Sequence, residues 1–429
     1  LALTQRSILR LYWPLALSWL FMAVEGPVAI GIISRLPQAE VNQAAFVALM
    51  GLSIFIESPV IDLLATSTTL ATDRARYLAL RNFTLLVMAA VTAIHALVAL
   101  TPLFDVIAYG ALALDPSVGE VLRPAMAIMI PWSAFIGWRR FLQGVMIRNG
   151  QTRAVGAGTV LRLATLIATG LALFSTTRMT GVSIVAIALV ASVAVECLFV
   201  QLLARGAVRR TLGQPAAPGT MGLRALAGFH FPLTASTVLV MSTSPMIVAT
   251  LGRAAEPVAM QAAWAVGMSF LWLFRTVTYA LPEAVIALYR QDPSRRGPLG
   301  RFCVAVGLGA SSLLFLTTVT PLDGWFFVQV LQADPRTSAL AGTMLLFTSM
   351  VPLCNAAMSY FRALLTAHYM TSARLLAIAV AVVTMASSLY LGLLAGLPGY
   401  ALPGLGLTLG HAAELGVLRA CWRRLQGRS

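Results

Sequence analysis

Apolar runs long enough to cross about 30 Å of hydrocarbon recur along the whole chain, separated by short segments that collect arginine, proline and aspartate. They predict twelve helices, at 10–34, 44–71, 80–101, 119–147, 154–175, 181–204, 226–251, 258–289, 300–319, 338–367, 372–395 and 399–421. Several exceed 25 residues, which implies tilt or kinking. Pro27, Pro59, Pro245 and Pro282 fall inside the first, second, seventh and eighth of these helices. A proline removes a backbone donor and breaks the helix around it. In corresponding helices of two halves, such breaks are expected to act as hinges around a cavity.

The same pattern repeats. With a shift of 218 residues, Trp13-Pro14-Leu15 returns as Phe231-Pro232-Leu233, Ser18 falls on Ser236, Pro27 on Pro245 and Arg35 on Arg253. Gln43-Ala44-Ala45 recurs as Gln261-Ala262-Ala263, and further on Gly181 meets Gly399, Glu196 meets Glu414 and Arg205 meets Arg423. In between, the register drifts to 221, where Pro131 meets Pro352 and Arg153 meets Arg374. Two related six-helix lobes are expected, 1–204 and 226–429. They are joined by a linker over 205–225 that holds Arg209, Arg210, Pro215 and Pro218. An even helix number per lobe makes the repeats parallel, related by an axis along the membrane normal.

Composition places these helices in lipid. Hydrophobic residues make up 59% and charged residues 10%, with mean hydropathy +0.85, against roughly 45–50% and 25% in soluble domains. All 30 basic residues are arginine, which excludes lysine Schiff-base chemistry. With both termini on one side, that side holds 20 arginines and the other holds five: Arg35, Arg123, Arg178, Arg253 and Arg336. The positive-inside rule then predicts cytoplasmic termini in a bacterial inner membrane. Basic loops facing anionic lipid need no nucleic-acid partner. No cleavable leader is expected, and the first helix is expected to serve as the insertion signal. Cys197, Cys303, Cys354 and Cys421 are scattered, with neither metal spacing nor a disulfide framework. Nucleotide-binding, nucleophile-elbow and metalloprotease motifs are absent from the sequence, so neither an enzyme nor a cofactor is expected.

Ionisable residues at bilayer depth are costly and therefore candidates for function. Glu25 precedes Pro27 by two residues, beside backbone that the proline leaves polar, and suits proton coupling. Glu57 sits mid-way along the second helix, with Asp62 nearer the termini side; the 218 shift places Glu57 on Arg275 in the eighth helix. These opposite charges could face each other as a gate, form part of a substrate site or form a permanent ion pair. Glu283, next to Pro282, is a second candidate partner for Arg275. Arg139 and Arg140 in the fourth helix, Arg362 in the tenth and Arg162 in the fifth make the interior cationic, which favours an anionic substrate. Glu196 and Glu414 read as polar contacts within each half. His411-x-x-Glu414 supplies too few ligands for a metal, and His95, His230 and His368 form no cluster.

This architecture resembles the multidrug/oligosaccharidyl-lipid/polysaccharide exporter (MOP) superfamily, which includes the MATE drug exporters. Within it the chain is most similar to the ANK (progressive ankylosis) family. Phe55-Ile56-Glu57-Ser58-Pro59-Val60-Ile61-Asp62 resembles that family's F-x-x-G-P-x-x-D. Glu283 to Asp292-Pro293 resembles its acidic pair followed by proline, and Arg362-Ala363-Leu364-Leu365-Thr366 its R-A-x-L-T. Ser58 replaces the family's glycine, and the family's long acidic tail has no counterpart. The resemblance implies alternating-access export of organic or phosphorylated anions such as citrate, nucleotide or pyrophosphate. Arg275, Arg362, Arg139 and Arg140 would bind substrate, and Glu25, Glu57, Glu283 and Asp62 would couple or gate. The expected partners are that anion, membrane lipid and a coupling proton or sodium ion, in a monomer. A proton- or sodium-coupled drug antiporter working through Glu25, a flippase for lipid-linked oligosaccharides and a non-transporting scaffold stand as alternatives.

Overall fold

A computed structural model describes residues 5–215, 221–368 and 370–427, with the side chains of 18, 152–155 and 371 left aside. Pro218 in the linker lies outside the described residues. Long helices account for nearly everything described: α1 (Gln5–Ser34), α2 (Ala39–Leu70), α3 (Arg74–Leu100), α4 (Pro116–Ile128 with Trp132–Arg148, bent by 44°), α5 (Thr152–Thr176) and α6 (Gly181–Leu203). A short helix, Arg205–Leu212, follows. The second half repeats the series as α7 (Leu223–Leu251), α8 (Pro257–Gln291), α9 (Pro293–Val319), α10 (Pro335–Ala367), α11 (Thr371–Leu394) and α12 (Leu402–Gln426). Ten of these are long and apolar enough to cross a membrane, and the bent α4 makes eleven. The twelfth, α12, interrupts its apolar length with His411, Glu414 and Arg419.

Local chemistry sets the ends. Asp73 starts α3 by accepting the Arg76 amide, Asp115 starts α4 on Ser117, and Asp334 starts α10 on Arg336 and Thr337. Each satisfies donors that a first helical turn leaves orphaned. Loops after α3 and α9 contain matching π-helical turns, Val106–Ala111 and Phe326–Val330. Each turn is followed by a left-handed residue, Ala113 (φ 51°) and Gln332 (φ 58°). Gln38 (φ 54°) and Glu256 (φ 52°) occupy repeat-related positions ahead of α2 and α8. The duplication thus extends to backbone conformation that non-glycine residues adopt only under tertiary constraint.

The four prolines lie where the helices break. α1 is interrupted at Val24, three residues before Pro27, and α7 at Ser242, three before Pro245. In α2 the break comes at Asp62, and the Ser58 hydroxyl donates to the Phe55 carbonyl at 2.7 Å. That carbonyl is the one whose helical donor Pro59 lacks. α8 tightens to a 3-10 turn over Thr276–Ala280. There Pro282 frees the Thr278 carbonyl, which accepts from Ser359 at 3.4 Å, while Val277 accepts from Tyr12 at 2.6 Å.

The chain divides into two compact units, one made of 1–44 with 246–429 and the other of 45–245. The first half of α7 therefore belongs to the second unit and α1 to the first, whereas the sequence repeat turns over at 205–225. In the first unit, Ile8, Tyr12 and Ala16 of α1 pack among Leu281, Val285, Phe302, Leu364 and Leu418. In the second, Leu49, Leu63, Leu80, Phe83, Leu122 and Phe141 are buried. The lower segment of α2 lies directly on α4, because a Cβ on Gly144 would stand 2.5 Å from the Leu64 carbonyl. Many large apolar side chains, Leu198, Val383 and Leu394 among them, point outward, a surface that hydrocarbon rather than water solvates.

Candidate functional site

In the unit formed by 45–245, interior charge gathers around Glu196 of α6. Arg139 of α4 donates to its Oε2, and Arg162 of α5 approaches the same oxygen at 3.7 Å. All three are buried, Glu196 completely so. Glu57 of α2 is 6% exposed and lies within the electrostatic reach of Arg139, Arg140 and Arg162. Three guanidiniums thus share two carboxyls in a low-dielectric interior, where an unbalanced charge is felt strongly. Arg140, half-buried, has no ion-pair partner among the described residues. Arg139 Nε, Arg140 Nε, Glu57 Oε2 and Glu196 Oε1 are buried without hydrogen-bond partners. Such atoms are rare in folded interiors.

The other unit carries a related arrangement. Glu414 of α12, the repeat mate of Glu196, accepts from Arg362 of α10 at 2.5 and 2.6 Å. The pairing of helix four with six is thus reproduced by ten with twelve. Beside it, Arg275 of α8 makes a 3.4 Å contact with His411 and lies over the Tyr279 ring at 5.8 Å. Neither partner is a carboxylate, and among the described residues Arg275 makes no ion pair. Tyr279 in turn packs edge-on against Trp19 and Trp272. His411 and Glu414, the weak metal pattern of the sequence, are turned toward the two arginines instead.

The remaining candidates are spread out. Glu25 is half-buried in the first turn of the second α1 segment, where the helix dipole favours a carboxylate. Glu283 is exposed one residue after Pro282 and does not pair with Arg275. Asp62 stands half-buried at the start of the lower α2 segment. Glu57 and Arg275 belong to different units. Each has its own local neighbours of the kinds just described.

Sequence reasoning missed His230. Fully buried at the start of α7, its ring spans the α2 break: Nε2 donates to the Pro59 carbonyl at 3.0 Å and Nδ1 meets the Thr66 hydroxyl at 2.9 Å. A carbonyl only accepts, so the hydrogen on Nε2 is fixed by its partner. Phe83 closes the pocket edge-on at 5.3 Å. An isolated histidine in an apolar run gives no hint of this, because its partners lie more than 160 residues away.

No family model matches the chain, and no curated protein matches it. Solved structures do. An inward-facing multidrug resistance MATE family transporter of the MOP superfamily is similar at TM-score 0.70 and 13% identity, over 95% of this chain and 94% of that one. The eukaryotic MATE transporter AtDTX14 is similar at TM-score 0.69 and 13% identity, over 97% and 95%. A MOP superfamily transporter from Pyrococcus furiosus, described as having a binding pocket of reversed polarity that suggests a different function, is similar at TM-score 0.62 and 14% identity, over 98% and 95%. Over 95–98% of its length, this chain has the helical fold of the MATE transporters of the MOP superfamily.

Proposed function

We propose that the chain is a secondary transporter that exports organic or phosphorylated anions by alternating access. The observation that carries this reading is that, among the described residues, an interior arginine in each unit, Arg140 and Arg275, makes no ion pair with a carboxylate. Guanidinium is a planar, permanently charged fork suited to carboxylate and phosphate. A transporter of organic cations would be hindered by that field and an anion transporter helped by it. Arg139 and Arg362, already held by Glu196 and Glu414, position the neighbouring charge and exchange their carboxylate for substrate only in part. The Pyrococcus furiosus relative of this fold, with its reversed pocket polarity, supports the idea that the scaffold serves more than cation efflux. Resemblance to the ANK family at Glu57–Asp62 and Arg362–Thr366 narrows the class to citrate-, nucleotide- or pyrophosphate-like anions.

Purified protein in proteoliposomes is the test, with labelled citrate, ATP and pyrophosphate as substrates. Arg140→Ala and Arg275→Ala are each expected to lower transport about tenfold or more, the effect of losing one charge-assisted contact. Unchanged anion transport in both variants would sink the reading. Glu25 at the broken α1 favours a second reading, a proton- or sodium-coupled drug antiporter on the same fold. Transport of an organic cation that Glu25→Gln abolishes would establish that one instead.

A further inference from the structure

Where α9 gives way to α10, on the face opposite the termini, the first unit contains a cavity of about 410 Å³. Its polar lining is Asp323, Thr318, Ser338 and Thr343, with Gly324 and Gly342 in the wall. Asp323 is 8% exposed. Its Oδ1 accepts the Gly324 amide at 2.6 Å, and among the described residues no cation pairs with it. Two hydroxyl protons are spent: Thr318 donates to Phe315 O at 2.7 Å and Thr343 to Ala339 O at 3.0 Å, while Ser338 lies 3.5 Å from Ala333 O. What Thr318, Thr343 and the Asp323 carboxylate offer to the cavity is therefore acceptor lone pairs.

The other half of the molecule shows what this place is built to hold. Thr101-Pro102-Leu103 and Asp115-Pro116 align with Thr320-Pro321-Leu322 and Asp334-Pro335 at a shift of 219. The same register puts Phe104 on Asp323 and Arg123 on Gly342. In the first half, the buried Phe104 ring fills the space and the Arg123 guanidinium lies over it at 5.3 Å, 3.5 Å from Asp105. In the second half the same register carries neither large side chain, and a buried carboxylate stands where the sequence of the first half has the ring. A Cβ at Gly342 would stand 2.6 Å from Asp323 Oδ2, so glycine keeps that oxygen open to the cavity. Burial also holds the Asp323 carboxyl above its usual range, a cost that a bound cation would offset.

We propose that this cavity binds a primary ammonium group, whose three N–H donors match the carboxylate and the hydroxyl oxygens around it. A trimethylated ammonium carries the charge without the donors and fits poorly. The ammonium comes from one of two sources, the headgroup of an aminophospholipid or a free primary amine. The surroundings favour lipid, since Leu346 of the lining is an exposed apolar side chain, as are Leu322 and Trp325, which flank Asp323 and Gly324 in the chain, and tryptophan is at home at the membrane interface.

The full chain, purified in detergent and exchanged into mixed phosphatidylethanolamine, phosphatidylcholine and phosphatidylglycerol, is read by native mass spectrometry. A parallel thermal-unfolding titration uses ethanolamine alone. The site predicts retention of phosphatidylethanolamine about tenfold over phosphatidylcholine, and a loss of about tenfold or more in Asp323→Asn. Ala339→Trp, which plugs the cavity from an exposed helix position, is expected to remove binding without disturbing the core. Stabilisation by ethanolamine without lipid retention supports the site and assigns the free amine. Equal retention of ethanolamine and choline lipids overturns the proposal, as does retention that neither variant changes when ethanolamine also has no effect.

Discussion

At the scale of single residues, Glu196 bears the largest electrostatic responsibility in its unit, because two buried guanidiniums depend on one of its oxygens. Breaking a buried pair from one side typically costs about 3–5 kcal/mol, since the partner is left charged and desolvated. Glu196→Gln is therefore expected to lower the thermal unfolding midpoint in detergent clearly. Glu414→Gln should lower it less, because Arg362 keeps 24% of its side chain exposed and can reach water or headgroups. Equal losses in the two variants would contradict this account. Asp115 provides a pH-sensitive cap: the Ser117 hydroxyl and amide hold its carboxyl below the usual carboxylate range. Its contribution is present above the unfolded-state value and fades as pH falls through the lower folded value. Hydrogen-exchange protection at the start of α4, taken relative to the intrinsic rate at each pH, should accordingly fall below about pH 4, and Asp115→Asn should remove most of that dependence.

At the scale of elements, the breaks in α2 and α8 are held open by specific partners as well as by proline. The Ser58 hydroxyl and the His230 ring satisfy backbone that Pro59 disturbs. His230→Leu is expected to leave the Pro59 carbonyl and Thr66 without their ring partner, costing about 1–3 kcal/mol. The expected readout is faster hydrogen exchange confined to the residues around Asp62. Uniform destabilisation along α2 would argue that the ring is a packing group only. Proline positions and the Glu57-to-Asp62 motif were legible in the sequence, and so were the break positions to within three residues. His230 was not, because a break's remedy comes from whichever element packs there. The left-handed residues were equally hidden: neither Ala113 nor Gln332 is a residue type that announces positive φ. Gln332→Gly should relieve that strain and stabilise by about 0.5–1 kcal/mol net of glycine's greater chain entropy.

At the scale of the whole molecule, the arginine distribution makes a topological prediction. In a cysteine-free background, Met179→Cys between α5 and α6 is expected to react with an impermeant thiol reagent in intact cells. Ser294→Cys at the start of α9 should react only after permeabilisation; the reverse pattern would invert the orientation. Helix number and internal duplication followed from the one-dimensional pattern, and helix ends did so to within about seven residues, because lipid imposes apolar length on every crossing and satisfies no exposed backbone. The sequence also determined which residue types bear charge in the interior, since each is conspicuous against apolar neighbours. Tertiary structure alone decided how those charges are spent. Arg139 and Arg162 converge on Glu196, Arg362 takes Glu414, and among the described residues Arg140 and Arg275 make no ion pair with a carboxylate. It alone also showed that Asp323 faces a cavity where the other half holds an aromatic ring and an arginine. Hydrophobic pattern is a property of each segment by itself, whereas charge pairing and cavity shape depend on which segments meet, and that is settled only when the helices pack.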